Sequence, residues 1–389
     1  MSLTGTAFFY LLIAATAAAV VGTCFAWGAV RGPRPLRWGS RVVMIAVCQF
    51  TAIAVVAAWI NNSYGLYTSW DDLLGRDNGS ATAAMPGPPA GRAMFTRGSN
   101  GLLETYFHGA HSKLSGEVLA WTPPQYDEPA YRHQKFPVIM LLHGVPGSPQ
   151  SWVEGGQVPG QLARMMESGM INPAILVIPV IDPGGIDTDC SDTPARKNAT
   201  WIAQDVTQLI KSQFRALPEA RGWGLVGLST GGYCAVKLPM QYPGTFANGV
   251  ALDPDPLGGD PSVLTNAKLR EENSPLWLTR KRPDVSLFVA TSAQDRLSRV
   301  ANLTALRKDA KWPTTVAPPL VLPTGGHNWN TWLRMYPVVF PWLSSHLDRA
   351  HVVAPSKPQK HPAGSGSTGA AGVDPSAPAE RKSAPPRKP

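Results

Sequence analysis

The sequence has few cysteines, few charged residues and no charged side chain among its first 30 residues. Four cysteines in 389 residues exclude a small fold held together by disulfides, and none of them lies near a histidine at the spacing of a zinc site. Charged residues make up 16% of the chain and hydrophobic residues 44%, which excludes a highly charged disordered protein. The uncharged N-terminus also lacks the positive residues with which a cleavable signal peptide begins.

The excess positive charge, +9 in total, is concentrated in two places. Arg31, Arg34, Arg37 and Arg41 follow the uncharged N-terminal stretch, and residues 351–389 contain six lysines and arginines but only two acidic residues. Because this charge lies in a loop and a tail rather than on one face of a folded domain, it does not favour nucleic-acid binding.

Two long apolar runs occupy residues 7–30 and 42–60. Each is long enough to cross roughly 30 Å of hydrocarbon as a helix, and neither has the polar stripe of a helix that packs on a soluble core. The sequence therefore predicts two transmembrane helices, without the ionisable residues that would mark a transport pathway. Short arginine-rich loops stay cytoplasmic, so we expect a multi-pass protein of the cell membrane with both termini outside the cytoplasm.

The predicted domain organisation has four parts. Residues 1–75 contain the two membrane helices and an interfacial segment, and residues 76–98 form a linker rich in Pro and Gly. Residues 99–350 form a folded domain outside the cytoplasm. Residues 351–389 are rich in Pro, Ala, Ser and Lys, so we expect a disordered basic tail that can contact anionic polymers of the cell envelope.

Short apolar runs and helical periodicity alternate through the folded domain. The runs at 137–143, 174–180 and 223–228 are apolar on both faces, as is typical of buried parallel strands. Helical patterns between these runs predict helices on both faces of the sheet, and the runs at 103–108 and 116–121 predict an antiparallel edge. The predicted fold class is α/β, with a mostly parallel sheet.

The segment Gly227-Leu228-Ser229-Thr230-Gly231 matches the pattern G-x-S-x-G and lies between a predicted strand and a predicted helix. The two glycines let the backbone turn sharply, so that the serine hydroxyl projects above the sheet. The N-terminus of the following helix favours the negative charge of an acyl-transfer intermediate. We therefore expect Ser229 to be a nucleophile, and the alternative is a serine that only caps a glycine-rich turn.

A serine needs a histidine to take its proton and an acid to orient that histidine, and in this arrangement the chain order is serine, acid, histidine. His327 follows the last predicted strand in a glycine-rich loop and is the predicted base. Asp295 follows the apolar run at 286–291 and is the predicted acid. Asp253 and Asp255 follow the preceding strand and are the alternative acids, and an unused acid would be a turn or cap residue.

Two backbone N–H groups are expected to stabilise the oxyanion. Residues 143–147, with the sequence HGVPG, follow a predicted strand where this architecture places one of these donors. Val145 is the predicted donor because the proline that follows it has no N–H, and Gly144 and Gly147 are the alternatives. The other predicted donor is the N–H of Thr230.

Cys190 and Cys234 lie outside the predicted membrane helices. In an oxidising compartment they could form a disulfide, and a buried free thiol at Cys234 is the alternative. Cys190 lies in a loop, residues 182–192, that contains four aspartates. We expect solvated, turn-forming aspartates there rather than a calcium site, and we expect no metal and no cofactor.

These motifs resemble the esterase D group of α/β-hydrolases, which includes the secreted mycolyltransferases. The resemblance covers roughly residues 100–348 and rests on His143-Gly144, residues 227–232, Asp295 and residues 326–329. It implies an α/β-hydrolase fold and acyl-ester chemistry without a metal. It also implies an acyl-enzyme at Ser229, with Val145 and Thr230 as the oxyanion donors.

The sequence departs from the mycolyltransferases in two respects. Asp295 stands where those enzymes have a glutamate, and two apolar helices that they lack precede the domain. Mycolyl or trehalose specificity is therefore not part of the prediction.

The predicted function is that of a membrane-anchored, extracytoplasmic serine esterase that acts on carboxylic esters of small molecules or lipids. An acyltransferase that moves an acyl chain to an alcohol or sugar of the cell envelope is the alternative, because both reactions share the acyl-enzyme. A second alternative is a non-catalytic surface-binding module of the same fold. Such a module would be expected to lack the nucleophile, the base or the oxyanion loop, and the sequence contains all three.

Overall fold

The computed structural model describes residues 6–64, 70, 94–98 and 101–353. Two helices come first, α1 (Thr6–Ala26) and α2 (Arg34–Tyr64), and both are long and apolar enough to cross a membrane by length and composition. The two helices contact each other, with Thr23 Oγ1 lying 3.3 Å from Cys48 Sγ. Most of the predicted interfacial segment and linker, and the tail after residue 353, lie outside the described residues.

The arginine segment differs from the expected loop. Helix α2 begins at Arg34, so Arg34, Arg37 and Arg41 lie in its first turns and Arg31 alone of the four stays in the connection. Arginine is a good helix former, and a proline is tolerated in the first turn of a helix, which explains the earlier start. The positive charge still lies at the connected ends of the two helices, as the predicted orientation requires.

A ten-stranded sheet forms the centre of the remaining described chain. Its strands are β1 (Thr96–Arg97), β2 (Leu103–His108), β3 (Ser115–Trp121), β4 (Val138–Leu142), β5 (Ile175–Pro179), β6 (Trp223–Leu228), β7 (Asn248–Leu252), β8 (Ser286–Ser292), β9 (Thr315–Val316) and β10 (Leu320–Leu322). Their spatial order is β1-β2-β3-β5-β4-β6-β7-β8-β10, and β9 pairs with β8. Strand β3 pairs antiparallel with β2 and β5, whereas the pairings from β5 to β10 are parallel. The predicted mostly parallel sheet with an antiparallel edge is confirmed.

Helices connect the strands on both faces of the sheet. They are α3 (Gln150–Glu154), α4 (Gly160–Glu167), α5 (Asn198–Thr200), which continues through a π-helical segment (Trp201–Val206) into α6 (Thr207–Gln213), α7 (Thr230–Gln241), α8 (Ala267–Asn273), α9 (Pro275–Leu278), α10 (Val300–Asp309) and α11 (Trp329–His346). The sequence did not predict α3, α8 and α9, because helices of two turns or fewer are too short to produce a clear periodic pattern.

The central strands are buried on both faces. Every residue of β4, β5, β6 and β7 is buried. Alternate side chains of β4 contribute to different clusters, so that Leu141 joins Phe340 of α11 on one face and Met140 joins Trp201 on the other. This two-sided burial is the reason that these strands form continuous apolar runs in the sequence.

The folded domain extends slightly beyond its predicted limits. Strand β1 pairs with β2 although its residues fall at the end of the predicted linker, 76–98. At the other end, the N–H of His351 donates to Lys135 O at 3.1 Å, and the Lys135 N–H donates to His351 O at 2.8 Å, although the predicted tail begins at residue 351. A two-residue strand and a single bridge are too short to produce an alternating pattern in the sequence.

Candidate active site

The G-x-S-x-G segment forms a tight turn between β6 and α7. Ser229 has φ 54° and ψ −126°, a backbone conformation that residues with side chains rarely adopt. A Cβ at Gly227 would lie 1.9 Å from Gly231 O, and a Cβ at Gly231 would lie 2.2 Å from Leu142 O. Close backbone packing therefore holds the strained turn and keeps the serine at the carboxyl end of β6.

The structure brings Ser229, His327 and Asp295 together. His327 Nε2 lies 2.9 Å from Ser229 Oγ, and His327 Nδ1 lies 2.8 Å from Asp295 Oδ2. The histidine lies in the loop between β10 and α11, and the aspartate lies in the loop after β8. In the neutral histidine, Nδ1–H donates to the carboxylate and Nε2 accepts from the hydroxyl, which forms one continuous hydrogen-bonded chain.

Backbone donors fix the orientation of Asp295. Its Oδ1 accepts from the N–H groups of Leu297 and Ser298, both at 2.8 Å, so Oδ2 is the oxygen that faces His327. Burial raises the pKa of Asp295, but the hydrogen bond and charge of His327 and the backbone donors leave it below its usual value. Burial lowers the pKa of His327, but the hydrogen bond to Asp295 and the nearby carboxylates leave it above its usual value. The site therefore favours an ionised carboxylate beside an imidazole that protonates readily.

Asp253, the first alternative acid, is fully buried and forms its hydrogen bonds elsewhere. Its Oδ2 accepts from Trp332 Nε1 at 2.8 Å, and its Oδ1 accepts from the Ser292 N–H at 3.2 Å. Burial and the charge of Asp295 raise the pKa of Asp253 to about 6. The side chains of Asp253, Asp295 and His327 bring possible metal-ligand atoms within 4.8 Å of one another, but hydrogen bonds within the protein already account for this arrangement.

Asp255, the second alternative acid, contacts the serine rather than the histidine. Its Oδ1 accepts a hydrogen bond from Ser229 Oγ at 3.2 Å, and its Oδ2 accepts from Thr230 Oγ1 at 2.6 Å. Burial raises the pKa of Asp255, and the hydrogen bond from Thr230 and the charge of His327 offset only part of this increase. The sequence included Asp255 among the candidate acids but did not predict its contact with the serine.

Both predicted oxyanion donors belong to segments beside the serine. A Cβ at Gly144 would lie 3.0 Å from Ser229 Cβ, so the loop that contains Val145 passes directly beside the nucleophile turn. Thr230 is the first residue of α7, where backbone N–H groups have no acceptor within the helix. The N-terminus of α7 therefore presents free backbone donors next to Ser229.

His143, at the start of the same loop, has a structural role. It is fully buried, and its Nε2 accepts from the Ile181 N–H at 3.1 Å. Its Nδ1 therefore carries the proton and donates to Gly144 O at 2.8 Å. Burial lowers the pKa of His143 to about 4, so it is neutral near pH 7. Its two hydrogen bonds connect the segments that follow β4 and β5.

The loop at 182–192 is attached to helix α7. Cys190 and Cys234 form a disulfide. Lys237, which is fully buried, donates to Asp189 O and, at 2.8 Å, to Ser191 Oγ. The expectation of solvated aspartates is wrong for Asp189, which is 1% exposed, because the loop packs against the helix.

Three tryptophans extend from His327 in edge-to-face contacts. The ring of Trp332 lies 5.3 Å from the imidazole, Trp329 lies 5.1 Å from Trp332, and Trp152 lies 5.4 Å from Trp329. The sequence did not predict these contacts, because Trp152 and the α11 residues are far apart in the chain. Trp332 thus provides an apolar contact to the imidazole, and the other two rings support Trp332 from behind.

Comparisons with known proteins relate the chain to esterases. A family model described as a putative esterase matches residues 117–335. An uncharacterized protein of Corynebacterium glutamicum is 31% identical over 135 residues, which cover 34% of this chain and 31% of that protein. The chain thus matches about a third of the length of this curated relative.

Two solved structures with a similar fold are a ferulic acid esterase and an S-formylglutathione hydrolase. The ferulic acid esterase has a TM-score of 0.54 at 20% identity, and the match covers 63% of this chain and 98% of that one. The S-formylglutathione hydrolase, from Agrobacterium tumefaciens, has a TM-score of 0.52 at 15% identity, over 66% of this chain and 99% of that one. At these identities the likeness concerns the fold, and it confirms the α/β-hydrolase prediction. Because the family model spans more than half of the chain and includes Ser229, Asp295 and His327, this protein belongs to the putative esterase family.

Proposed function

We propose that this protein is a serine esterase that cleaves carboxylic esters through an acyl-enzyme at Ser229. The observation that carries the proposal is the hydrogen-bonded chain from Ser229 Oγ to His327 Nε2, at 2.9 Å, and from His327 Nδ1 to Asp295 Oδ2, at 2.8 Å. A non-catalytic module has no need of a strained serine turn aligned with a histidine and an oriented carboxylate. Catalysis is therefore the better account of this geometry.

In the proposed acylation step, Ser229 Oγ attacks the ester carbonyl while His327 Nε2 takes its proton. The Oγ–carbon bond forms, and the bond from the carbonyl carbon to the alcohol oxygen breaks as the histidine returns the proton to that oxygen. Asp295 stabilises the imidazolium between these transfers. The N–H groups of Val145 and Thr230 stabilise the oxyanion, since both segments lie next to the serine.

In the proposed deacylation step, water attacks the acyl carbon while His327 Nε2 takes a proton from the water. The bond from that carbon to Ser229 Oγ then breaks, and the histidine returns the proton to Oγ as the free acid leaves. An alcohol in place of water would give acyl transfer, which is the alternative reaction of the same intermediate. The two outcomes are separated by adding a competing alcohol: a hydrolase continues to release mainly free acid, and a transferase releases mainly the new ester.

Two further features support a membrane-anchored enzyme whose catalytic domain lies outside the cytoplasm. Helices α1 and α2 have the length and composition of membrane spans, with arginines at their connected ends. Disulfides persist in oxidising compartments, and Cys190 and Cys234 form one. Within the esterase family, the serine, aspartate and Gly-His-Asn-Trp segments support a place near the esterase D group.

Labelling with a fluorophosphonate probe tests the nucleophile without requiring a known substrate. The full-length protein in detergent is expected to be labelled, and Ser229→Ala is expected to abolish labelling. Ser345→Ala, which removes an exposed serine on α11, is the matched control and should be labelled like the wild type. Wild-type labelling that persists in Ser229→Ala, or a wild type that is not labelled, would contradict the proposal.

A further inference from the structure

Asp255 is held against the proposed nucleophile by three hydrogen bonds. Its Oδ1 accepts from Ser229 Oγ at 3.2 Å, its Oδ2 accepts from Thr230 Oγ1 at 2.6 Å, and its N–H donates to Ser229 O at 3.3 Å. The residue is partly exposed, although its carboxyl group is buried enough to raise its pKa. A carboxylate oxygen therefore has a fixed position 3.2 Å from the oxygen that would attack an ester.

This carboxylate is unfavourable for the hydrolysis of an uncharged ester. The Ser229 hydroxyl has one proton, and an ionised Asp255 competes with His327 Nε2 to accept it. A negative charge near Ser229 Oγ also opposes the negative charge that develops on the substrate as the bond forms. The reaction of Ser229 with an uncharged acyl group would proceed better without Asp255.

The group whose positive charge acts on Asp255 is His327, which must be neutral when it takes the proton of Ser229. Among the described residues, no lysine or arginine forms an ion pair with this carboxylate. The charges of Asp187, Asp189 and Asp260 act on it instead, and they repel it. The buried ammonium of Lys237 donates hydrogen bonds to Asp189 O and Ser191 Oγ instead. The chain is basic overall, but this side of the site is acidic and lacks a paired cation.

We propose that Asp255 determines specificity and that the preferred substrate is an ester whose acyl group has an ammonium on the carbon next to the carbonyl, as in an amino acid ester. This proposal rests on the proposed function of the site. An ammonium nitrogen in that position lies roughly 2.5 Å from the carbonyl carbon, the distance set by the N–Cα and Cα–C bonds. When the carbonyl carbon approaches Ser229 Oγ, the ammonium can therefore reach Asp255 Oδ1.

The ammonium removes both disadvantages of the carboxylate. It donates to Asp255 Oδ1, which leaves the serine proton to His327, and it neutralises the charge that opposes the oxyanion. The covalent chemistry is unchanged: the Ser229 Oγ–carbon bond forms, the ester carbon–oxygen bond breaks, and the proton passes through His327 to the leaving alcohol. Water then releases the amino acid, whose ammonium keeps its protons throughout.

The test compares four benzyl esters that differ only beside the carbonyl: those of alanine, propionic acid, lactic acid and N-acetylalanine. For the full-length wild type in detergent near pH 7, we expect kcat/KM for the alanine ester to exceed that for each of the others by about tenfold or more, the size of a hydrogen bond to a charged group. Asp255→Asn should remove this preference, so that the ratio of kcat/KM for the alanine ester to kcat/KM for the propionate ester falls by about tenfold or more.

Asp260→Asn is the matched control, because it removes a neighbouring negative charge that does not contact Ser229. It should keep most of the preference for the alanine ester. Fluorophosphonate labelling of Asp255→Asn shows whether the nucleophile is intact, and the wild-type ratio tests the proposal even if that variant does not fold.

Several results would overturn the proposal. The first is an equal wild-type kcat/KM for the alanine and propionate esters, and the second is a kcat/KM for the lactate ester that equals that for the alanine ester. The third is an equal loss of preference for the alanine ester in Asp260→Asn and Asp255→Asn. If the wild type cleaves the propionate ester through Ser229 without preferring the alanine ester, the specificity proposal alone fails. If no ester is cleaved and Ser229 is not labelled, the proposed function fails with it.

Discussion

Replacement of Asp295 by asparagine tests the proposed catalytic chain at its most firmly oriented member. Because Oδ1 accepts from the N–H groups of Leu297 and Ser298, the asparagine oxygen is expected to keep that position. Its NH₂ group then replaces Oδ2 beside His327. An NH₂ group donates, so Nδ1 must accept and the imidazole proton moves to Nε2. Nε2 can then no longer take the proton of Ser229.

The expected result is a decrease in kcat of about 10⁴-fold, or about 5 kcal/mol in the activation barrier. The substrate-binding surface is unchanged, so KM should change little. The assay is the hydrolysis of a short p-nitrophenyl ester by full-length protein in detergent. Thermal unfolding of the same samples establishes that Asp295→Asn is folded.

Asp253→Asn is the matched control, since it makes the same change at a buried carboxylate one strand away. One of its two donors, Trp332 Nε1 or the Ser292 N–H, would face an NH₂ group. An unsatisfied buried donor is expected to lower the free energy of unfolding by about 1–3 kcal/mol, with kcat remaining within a few-fold of the wild type. A larger loss of kcat in Asp253→Asn than in Asp295→Asn would refute the assignment of the acid.

Three other predictions concern pH, the disulfide and topology. The hydrogen bond to Asp295 and the nearby carboxylates raise the pKa of His327 above its usual value, so kcat/KM should rise with pH at a midpoint above that of a free imidazole. In Asp295→Asn this midpoint should move to lower pH because the raising contribution is lost, and an unchanged midpoint would contradict this account. Replacing both Cys190 and Cys234 by serine opens a loop with a sequence separation of 44 and should lower the free energy of unfolding by about 4 kcal/mol. Urea denaturation measures this change, and a double variant as stable as the wild type would show that the disulfide does not stabilise the fold. A reporter that is active only in the cytoplasm should stay inactive when fused to the C-terminus, and an active fusion would reverse the proposed orientation.

The sheet and the serine turn were largely predictable from the sequence, because the information is local. A buried parallel strand is a short apolar run, and the tight turn after β6 requires glycines at fixed positions around Ser229. His327 was predictable from chain order, since it follows the last strand of the sheet. In each of these cases the neighbouring residues in the chain determine the position.

The choice among the three aspartates was not predictable with the same clarity. Asp253 and Asp295 follow adjacent parallel strands whose carboxyl ends meet at one edge of the sheet, so spacing places both near His327. Long-range hydrogen bonds from Trp332 and Ser292 occupy both oxygens of Asp253. The donors to Asp295 are local, the N–H groups of Leu297 and Ser298, and they leave one oxygen for the histidine. Lys237 is a similar case, because its acceptors come from a loop far away in the sequence.

In the G-x-S-x-G segment, the glycines are needed for the path of the backbone and the serine is needed for the proposed reaction. An alanine at position 227 or 231 would place its Cβ within 2.2 Å of backbone oxygen, so both glycines are required for the chain to pass from β6 into α7, whatever residue lies between them. The central serine is not required for this passage, and a glycine there would relieve the positive φ of 54°. A relative with glycine in place of Ser229 would therefore lose the nucleophile, have a less strained turn and still keep both flanking glycines of the pattern. In such a chain, the two glycines would identify the turn between strand and helix, and the residue at position 229 would tell whether the protein is an enzyme.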